Sequence, residues 1–526
     1  MMRKWGLAAA LLAACVLGSI VQAETLRWGS YSEPSALDPH YHNLGPNNAM
    51  ARHFFDRLVQ TDEAQRSTPG LALSWKPISD STWEFTLRRG VKFTNGADFT
   101  ADDVVYSIER APNVPNSPSS FGIATKAIKK MDVVDPYTIR FSTDGPYPLL
   151  ANDLASINIM SRKASQGKTT EQLNAGDGHV GTGPYKLVEW VRGDHLTMVR
   201  NEGHWGEKPQ FERVIYRPMT NGSARVAALL AGDVDFIDDV PTSDIERLKR
   251  GDKFVLSQGV SNRVIYLHLD HDREVSPFVK TADGKNALRK WEVRAAISHA
   301  INRPAIVERV MEGVAIPAGQ LLPKGFFGNS PNLQPDAYDP ALSKQLLAKA
   351  GYPNGFKLTL HGPNNRYIND AKIAQAVAPM LTRAGIETEV ATMPQNVFFP
   401  AATKRDFSFI LVGWGSDTGE ASSPLRSLLA TYSKEKGMGT ANRGRYSNAK
   451  MDELLVEALR TVDDAKREKL LQEATEVAMK DYGIIPLHYQ VNTWATRKGL
   501  CYVPRTDEAS LIMGIHTEGQ CPQRSQ

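Results

Sequence analysis

Short apolar runs separated by glycine, proline and aspartate recur along this chain, and amphipathic helical stripes fall between many of them. Leu26, Arg27 and Trp28 open a strand, and residues 47–58 read as an amphipathic helix. Residues 83–87 alternate as a strand, and a turn over 90–96 sets Val91 and Phe93 on one face. Thr100 stands where a helix needs an N-cap, with Asp102 and Asp103 in the first turn and Val104, Val105 and Ile108 as its apolar face. A helix over 224–230 stopped by Gly232, strands over 234–237 and 265–269 and a helix over 293–301 follow. The polar stretch 271–285 between the last two reads as the crossing into a separate lobe.

Beyond residue 339 the rhythm becomes regular. Asp339 caps and Pro340 opens a helix through Ala348, and a strand covers 357–360. A helix after Asp370 carries Ile373, Val377, Met380 and Ala384, with Pro379 inside it, and a strand covers 386–392. The run 407–412 is short, apolar and rich in aromatic and β-branched residues, which suits a buried strand. This is βαβ order, and it predicts a largely parallel sheet. Two helical stripes follow, at 451–459 and 470–478, and the segments at 484–487 and around Trp494 carry the chain back to the first lobe.

Ligands in open α/β sheets lie outside the carboxyl ends of the strands. The stretch after 412 breaks into Gly413, Gly415 and Gly419 around Trp414 and Asp417, so backbone approaches closely there and Asp417 is a candidate charge partner for a bound small molecule. Asp417 as a cap of the next helix is the bland alternative, although Thr418 or Ser422 also suits that task. A second strand-end loop, 361–367, holds Arg366.

With 526 residues and 41% hydrophobic content, the chain can bury a core divided over two or three domains. A net charge of +4 without a long Lys/Arg run gives nucleic-acid binding no electrostatic support. Arg3 and Lys4 precede small apolar residues that end in Val21-Gln22-Ala23, the pattern of a secretory leader over 1–23. Leu12-Ala13-Ala14-Cys15 supports a competing lipoprotein reading, but the residues after Cys15 stay apolar through Val21, where a polar tether is usual. Removal of the leader leaves Cys501 and Cys521, expected to form a disulfide in an oxidising compartment.

Catalytic patterns are weak. Asp417-Thr418-Gly419 matches the aspartic-protease tripeptide, yet that chemistry needs two aspartates sharing a proton, and the sequence has no second such tripeptide. Zinc-helix and serine-elbow motifs are absent as well. Asp233, Asp235, Asp238 and Asp239 lack calcium-loop spacing and read as solvated turn acids. No metal and no cofactor is expected.

Several segments together carry a resemblance. Val91-Lys-Phe-Thr-Asn-Gly96 running into Phe99-Thr-Ala-Asp-Asp-Val104, Gly181-Thr-Gly-Pro-Tyr185 before Trp190, Arg200-Asn201 with Trp205, and the segment 293–303 resemble the extracytoplasmic solute-binding proteins of family 5, the peptide- and nickel-type receptors of ABC importers. The resemblance spans nearly the whole chain after the leader. It implies an α/β fold of periplasmic-binding-protein type II, with two large lobes joined by a hinge and an additional subdomain, the three-domain cluster C arrangement. The expected division is a leader over 1–23, lobe I over 24–65, an extra subdomain over 66–189, lobe I again over 190–272, lobe II over 273–492 and a return to lobe I over 493–526.

The resemblance also implies a periplasmic, monomeric receptor, not an enzyme, that captures peptides or a related amine-containing solute and delivers it to a membrane permease with separate ATPase subunits. Nickel chelates, opines and glutathione-like compounds are the alternatives in the same fold. Trp414-Gly-Ser-Asp417 matches the family's W-x-x-D pattern, whose aspartate receives a peptide's α-amino group, with Trp414, Gly415 and Ser416 as candidates to line the same site and a place in the core as the alternative for Trp414. Arg366 matches an arginine that receives a carboxylate in some dipeptide-binding relatives, and Tyr31, in a loop of the first lobe, is the candidate to close over the ligand.

Overall fold

A computed structural model describes residues 25–416 and 418–521. The leader, Cys15 and Asp417 therefore lie outside the described residues. Twelve strands share one mixed sheet. At one end Thr25–Ser30 runs parallel to Arg213–Pro218 and Phe236–Ile237, and His195–Arg200 and Tyr185–Val191 extend the sheet antiparallel. At the other end Phe356–Pro363 runs parallel to Ile386–Met393 and to Phe409–Gly415, the parallel group that the βαβ order predicts.

Two long antiparallel strands, Phe254–Leu269 and Ile485–Arg497, join these ends. Their apolar residues enter different cores along their length. Phe254 and Leu256 pack with Val226, Leu229 and Ile245 of the first lobe. Ile265, Leu267 and Leu269 pack with Val293, Ile297, Ile373 and Val377 of the second, while Val264 and Tyr266 meet the helices Ala449–Ala458 and Asp464–Lys480 on the opposite face. The two paired strands thus contribute to the cores of both lobes before the chain reaches the polar stretch 271–285. That stretch is tied to the second lobe by Asp270, which accepts from Arg273 and Ser276, while Arg273 also donates to the carbonyls of Arg405 and Phe407.

A separate four-stranded sheet, in the order Ala72–Ser79, Thr82–Leu87, Thr138–Thr143, Ile128–Asp135, forms the extra subdomain around Phe85, Phe99, Val104, Ile139 and Phe141. Thr100 and Asp103 form a capping box on the helix Ala101–Arg110, so the cap read from the sequence is in place.

Two local differences have physical causes. The helix expected over 47–58 covers only Gly45–Ala51, because the carbonyls of His53 and Phe54 accept from Tyr185 and Gly183 instead of continuing the helix. Gly181 and Gly183 are required there, since a Cβ on either would fall 2.1 Å and 2.6 Å, respectively, from the Phe54 carbonyl oxygen. The acids at 233–239 are not all solvated. Asp235 and Asp238 are buried, the former bridging Arg27 and Arg497, the latter accepting from Trp28, Ser30 and Tyr31.

The C-terminal return lies on the first lobe. Leu500–Tyr502 pairs with Ile515–Thr517, and Cys501 is bonded to Cys521 with their Cα atoms 6.2 Å apart. Arg505 and Arg52 both grip Asp507, at 2.7 and 3.0 Å. Burial pushes the Asp507 carboxyl up, but the charges of Arg505 and Arg52 prevail and bring it down to about 2 from 3.8.

Two outcomes follow. Gly181→Ala is expected to cost about 1–3 kcal/mol in chemical denaturation, whereas Gly45→Ala, with open space around it, changes little. Because the folded-state pKa of Asp507 lies below its unfolded value, its contribution of about 2 kcal/mol is present at neutral pH and lost as pH falls from about 4 to about 2. Melting curves across that window should be flatter for Asp507→Asn than for the wild type.

Candidate ligand-binding cleft

The carboxyl ends of the three parallel strands of the second lobe meet in one loop cluster. Asn364 N–H donates to the Met393 carbonyl, Gln395 N–H donates to Asn365 Oδ1, and Tyr367 Oη donates to the Gly413 carbonyl at 3.0 Å, so each strand end is tied to the next. Asp370, at the start of the following helix, accepts from the backbone N–H groups of Arg366 and Tyr367 at 2.8 and 3.0 Å. This fixes the backbone beneath Arg366 and leaves its exposed guanidinium 5.1 Å from the Tyr367 ring centroid. Among the described residues no carboxylate lies within ion-pair distance of it.

The last of these strands is Phe409–Gly415, longer than the run 407–412 suggests. Its glycines lie inside the strand and not beyond it. Gly413 pairs with Ile265 and Gly415 with Arg263, and a Cβ on Gly413 would stand 2.6 Å from the Ile265 side chain and 2.9 Å from the Tyr367 ring. Trp414 between them is half-buried against the apolar core, and its indole Nε1 is buried without a hydrogen-bond partner.

The turn that follows is held from three sides. Ser416 carbonyl accepts from Asn262 Nδ2 at 2.8 Å and from Gln65 Nε2 at 3.2 Å, and Thr418 carbonyl accepts from Asn152 of the extra subdomain at 3.1 Å. Glu420 closes the turn through a buried ion pair with Arg467 at 2.5 Å. Asp417 itself lies outside the described residues, but the positions on both sides of it are anchored in this way.

The facing wall comes from the first lobe. Tyr31 is 42% exposed, and its backbone N–H donates to the buried Asp238 at 2.7 Å. Burial raises the Tyr31 hydroxyl to about 12, with Asp238, Glu508 and Asp239 adding to the effect. Burial likewise raises Asp238 to about 6, against the pull of Arg225. A cavity of about 90 Å³ beside Tyr31 is lined by Trp28, Met50, Tyr216 and Glu508. Glu508 accepts from Arg263 at 2.7 and 3.0 Å, from Ser261 at 2.6 Å and from Gln490 at 3.2 Å. Burial pushes this carboxyl up, but Arg263, Ser261 and Arg366 outweigh it and hold the group below the ordinary glutamate range.

Gln65, Asn262, Arg263 and Glu508 thus hold the candidate site, and sequence reasoning missed them. A signal existed for two of them. Ser261-Asn262-Arg263 interrupts an apolar alternation between Val260 and Val264, the mark of a bulge. Gln65 and Glu508 reach the cleft only through tertiary packing. Among the described residues no cluster of His, Cys, Asp or Glu has the arrangement of a metal site.

Comparison with known proteins gives a consistent result. A family profile described as bacterial extracellular solute-binding proteins, family 5, middle region, matches residues 66–436. The glutathione-binding protein GsiB of Salmonella choleraesuis is 30% identical over 467 residues, covering 86% of each chain. Among solved structures, the periplasmic binding protein DppA of Helicobacter pylori, in complex with the peptide STSA, aligns with a TM-score of 0.76 at 25% identity, over 94% of this chain and 98% of that one. HbpA2 of Haemophilus parasuis aligns with a TM-score of 0.80 at 25% identity, over 94% and 100%.

Asn262 holds the turn at Ser416 and also donates to Gln65 Oε1 at 2.6 Å. Asn262→Ala is expected to lower the unfolding free energy by about 1–3 kcal/mol, measured in urea, because both acceptors lose a buried donor.

Proposed function

The chain belongs to the bacterial extracellular solute-binding proteins of family 5, the receptors of ABC importers, and from that premise we propose that its cleft captures a short peptide-like zwitterion with a free α-amine, glutathione being the first such compound to test. The observation that carries this reading is an imbalance of hydrogen-bonding groups. Among the described residues, the Arg366 guanidinium on the second lobe has no carboxylate within ion-pair distance, and the buried Trp414 Nε1 has no acceptor. On the first lobe Asp238 and Glu508 are already occupied by protein donors. A ligand entering between the lobes therefore supplies acceptors, of which a carboxylate is the strongest, to the second lobe.

In this reading Arg366 receives the carboxylate, Asp417 receives the α-ammonium group, Trp414, Gly415 and Ser416 shape the wall beside it, and Tyr31 covers the ligand from the first lobe. A relative named for glutathione binding supports the choice of compound, since glutathione carries one α-amine and two carboxylates. Closure of two lobes by a hinge buries the ligand and presents both lobes to the permease. We assign no catalytic step to the chain, and we place it in the periplasm as a monomer released by cleavage after Ala23. The domain division proposed is lobe I over 24–65, 190–272 and 493–526, the extra subdomain over 66–189 and lobe II over 273–492, with the two long strands shared at the hinge.

Thermal-shift and calorimetric titration of the mature protein with glutathione, di- and tripeptides, their N-acetylated forms and opines tests this reading. A ligand that binds only the folded state raises the melting temperature, by the equivalent of about 2.7 kcal/mol at about 100 Kd. Asp417→Ala is expected to fold normally and lose about 2–5 kcal/mol of affinity, N-acetylation of the ligand to lose a similar amount, and Arg366→Ala about 1.5–3 kcal/mol. Binding restricted to amine-free compounds would overturn the role of Asp417.

A further inference from the structure

Where the long strands cross between lobes, three residues, Ser261, Asn262 and Arg263, stand opposite the single Gln490. All four are held from outside their own strands. Glu508 accepts from Ser261, Arg263 and Gln490, while the Asn262 backbone N–H donates to the Thr506 carbonyl at 2.9 Å and its side chain reaches Gln65 and Ser416. One carboxylate from the C-terminal return thus gathers donors from both sides of the bulge.

Glu508 has a backbone φ of 64°, in the left-handed region that residues with a Cβ enter at a cost. Such a conformation persists where surrounding contacts over-determine it. Here those contacts are the bonds to the bulge. Arg263, which receives the bidentate grip, pairs in register with Gly415, and a Cβ placed on Gly415 would meet its Nη2 at 3.0 Å. Its guanidinium also stands 5.9 Å from the centroid of Tyr367, the residue tied to the Gly413 carbonyl.

We propose that Glu508 is a positioning residue for ligand capture: by clamping Arg263 and the crossing bulge, it couples the hinge between the lobes to the strand end Trp414–Ser416. Its carboxylate is filled by protein donors, so it acts through Arg263 and not by touching the solute. Opening the hinge rotates residues beyond Val264 relative to those before Val260, and the bonds to Glu508 resist that rotation. The proposal rests on the reading of the cleft as the ligand site.

Two measurements test it on the mature chain. The first places a fluorophore pair on Val191→Cys and Val456→Cys, exposed positions on the two lobes, and records interlobe distance without ligand. Glu508→Gln is expected to move the distribution to longer distances, Ser261→Ala to move it less in the same direction, and Glu508→Asp to stay near the wild type. The second follows glutathione release by stopped flow. Glu508→Gln is expected to speed dissociation about 10-fold or more with association changed less than about 3-fold, the pattern of a lost latch. If Glu508→Gln and Ser261→Ala both match the wild type in distance distribution, the clamp has no role in closure and the proposal fails. If Glu508→Gln fails to fold, Ser261→Ala alone decides between these outcomes. Should the wild type bind none of the zwitterions, the functional reading fails, while the ligand-free distances still decide whether Glu508 governs the hinge.

Discussion

The pairing of Phe254–Leu269 with Ile485–Arg497 is the constraint on which the rest of the molecule depends. Each strand spends its apolar residues on two lobes, so neither lobe completes its core without the other's crossing strand. Backbone hydrogen bonds run along both and are interrupted at the bulge between Val260 and Val264. A ladder resists shear and bending along its paired length, and a bulge is where it yields. The ladder is also irregular between Ile265 and Tyr266, so the capacity to bend is concentrated over residues 260–266, beside the Ser416 carbonyl that Asn262 holds.

Charge is distributed unevenly across the cleft. Asp238 and Glu508 on the first lobe are occupied by donors of their own lobe or of the crossing strands, whereas among the described residues of the second lobe the Arg366 guanidinium has no carboxylate within ion-pair distance and the Trp414 indole N–H has no acceptor. A buried donor without a partner, as at Trp414 Nε1, is costly in a folded protein and is tolerated where a ligand or water completes it, whereas the exposed Arg366 guanidinium is solvated until a ligand arrives. The same loops are otherwise over-determined. Asp370, Tyr367, Asn262 and Gln65 each hold backbone near the strand ends, so the unfilled groups sit on a rigid frame.

Much of this frame was legible from local chemistry. The cap at Thr100, the Asp339-Pro340 helix start and the stop at Gly232 depend on neighbours within a turn or two, and each appears in the structure. The run 407–412 marked a strand, but not its true end, because Gly413 and Gly415 look like breakers until Ile265, Tyr367 and Arg263 are seen to occupy the space a side chain would need. The same reason shortened the helix after Gly45. Tyr185 and Gly183 claim carbonyls that a helix would have used, and they lie more than a hundred residues away in sequence.

The amino-acid sequence alone determined the βαβ lobe, the cysteine pair near the C-terminus and the loops to which Arg366 and Trp414 belong, because periodicity, caps and turn residues act over short distances, while the type II binding-protein fold followed from the family resemblance. Only the tertiary structure decided that two long strands serve the cores of both lobes, that Asp235 and Asp238 are buried supports and not solvated acids, and that Gln65, Asn262, Arg263 and Glu508 converge beneath one strand end. Those choices rest on hydrogen bonds between residues about 150 to 250 positions apart, such as the 197 that separate Asn262 from Gln65, and no local pattern encodes them.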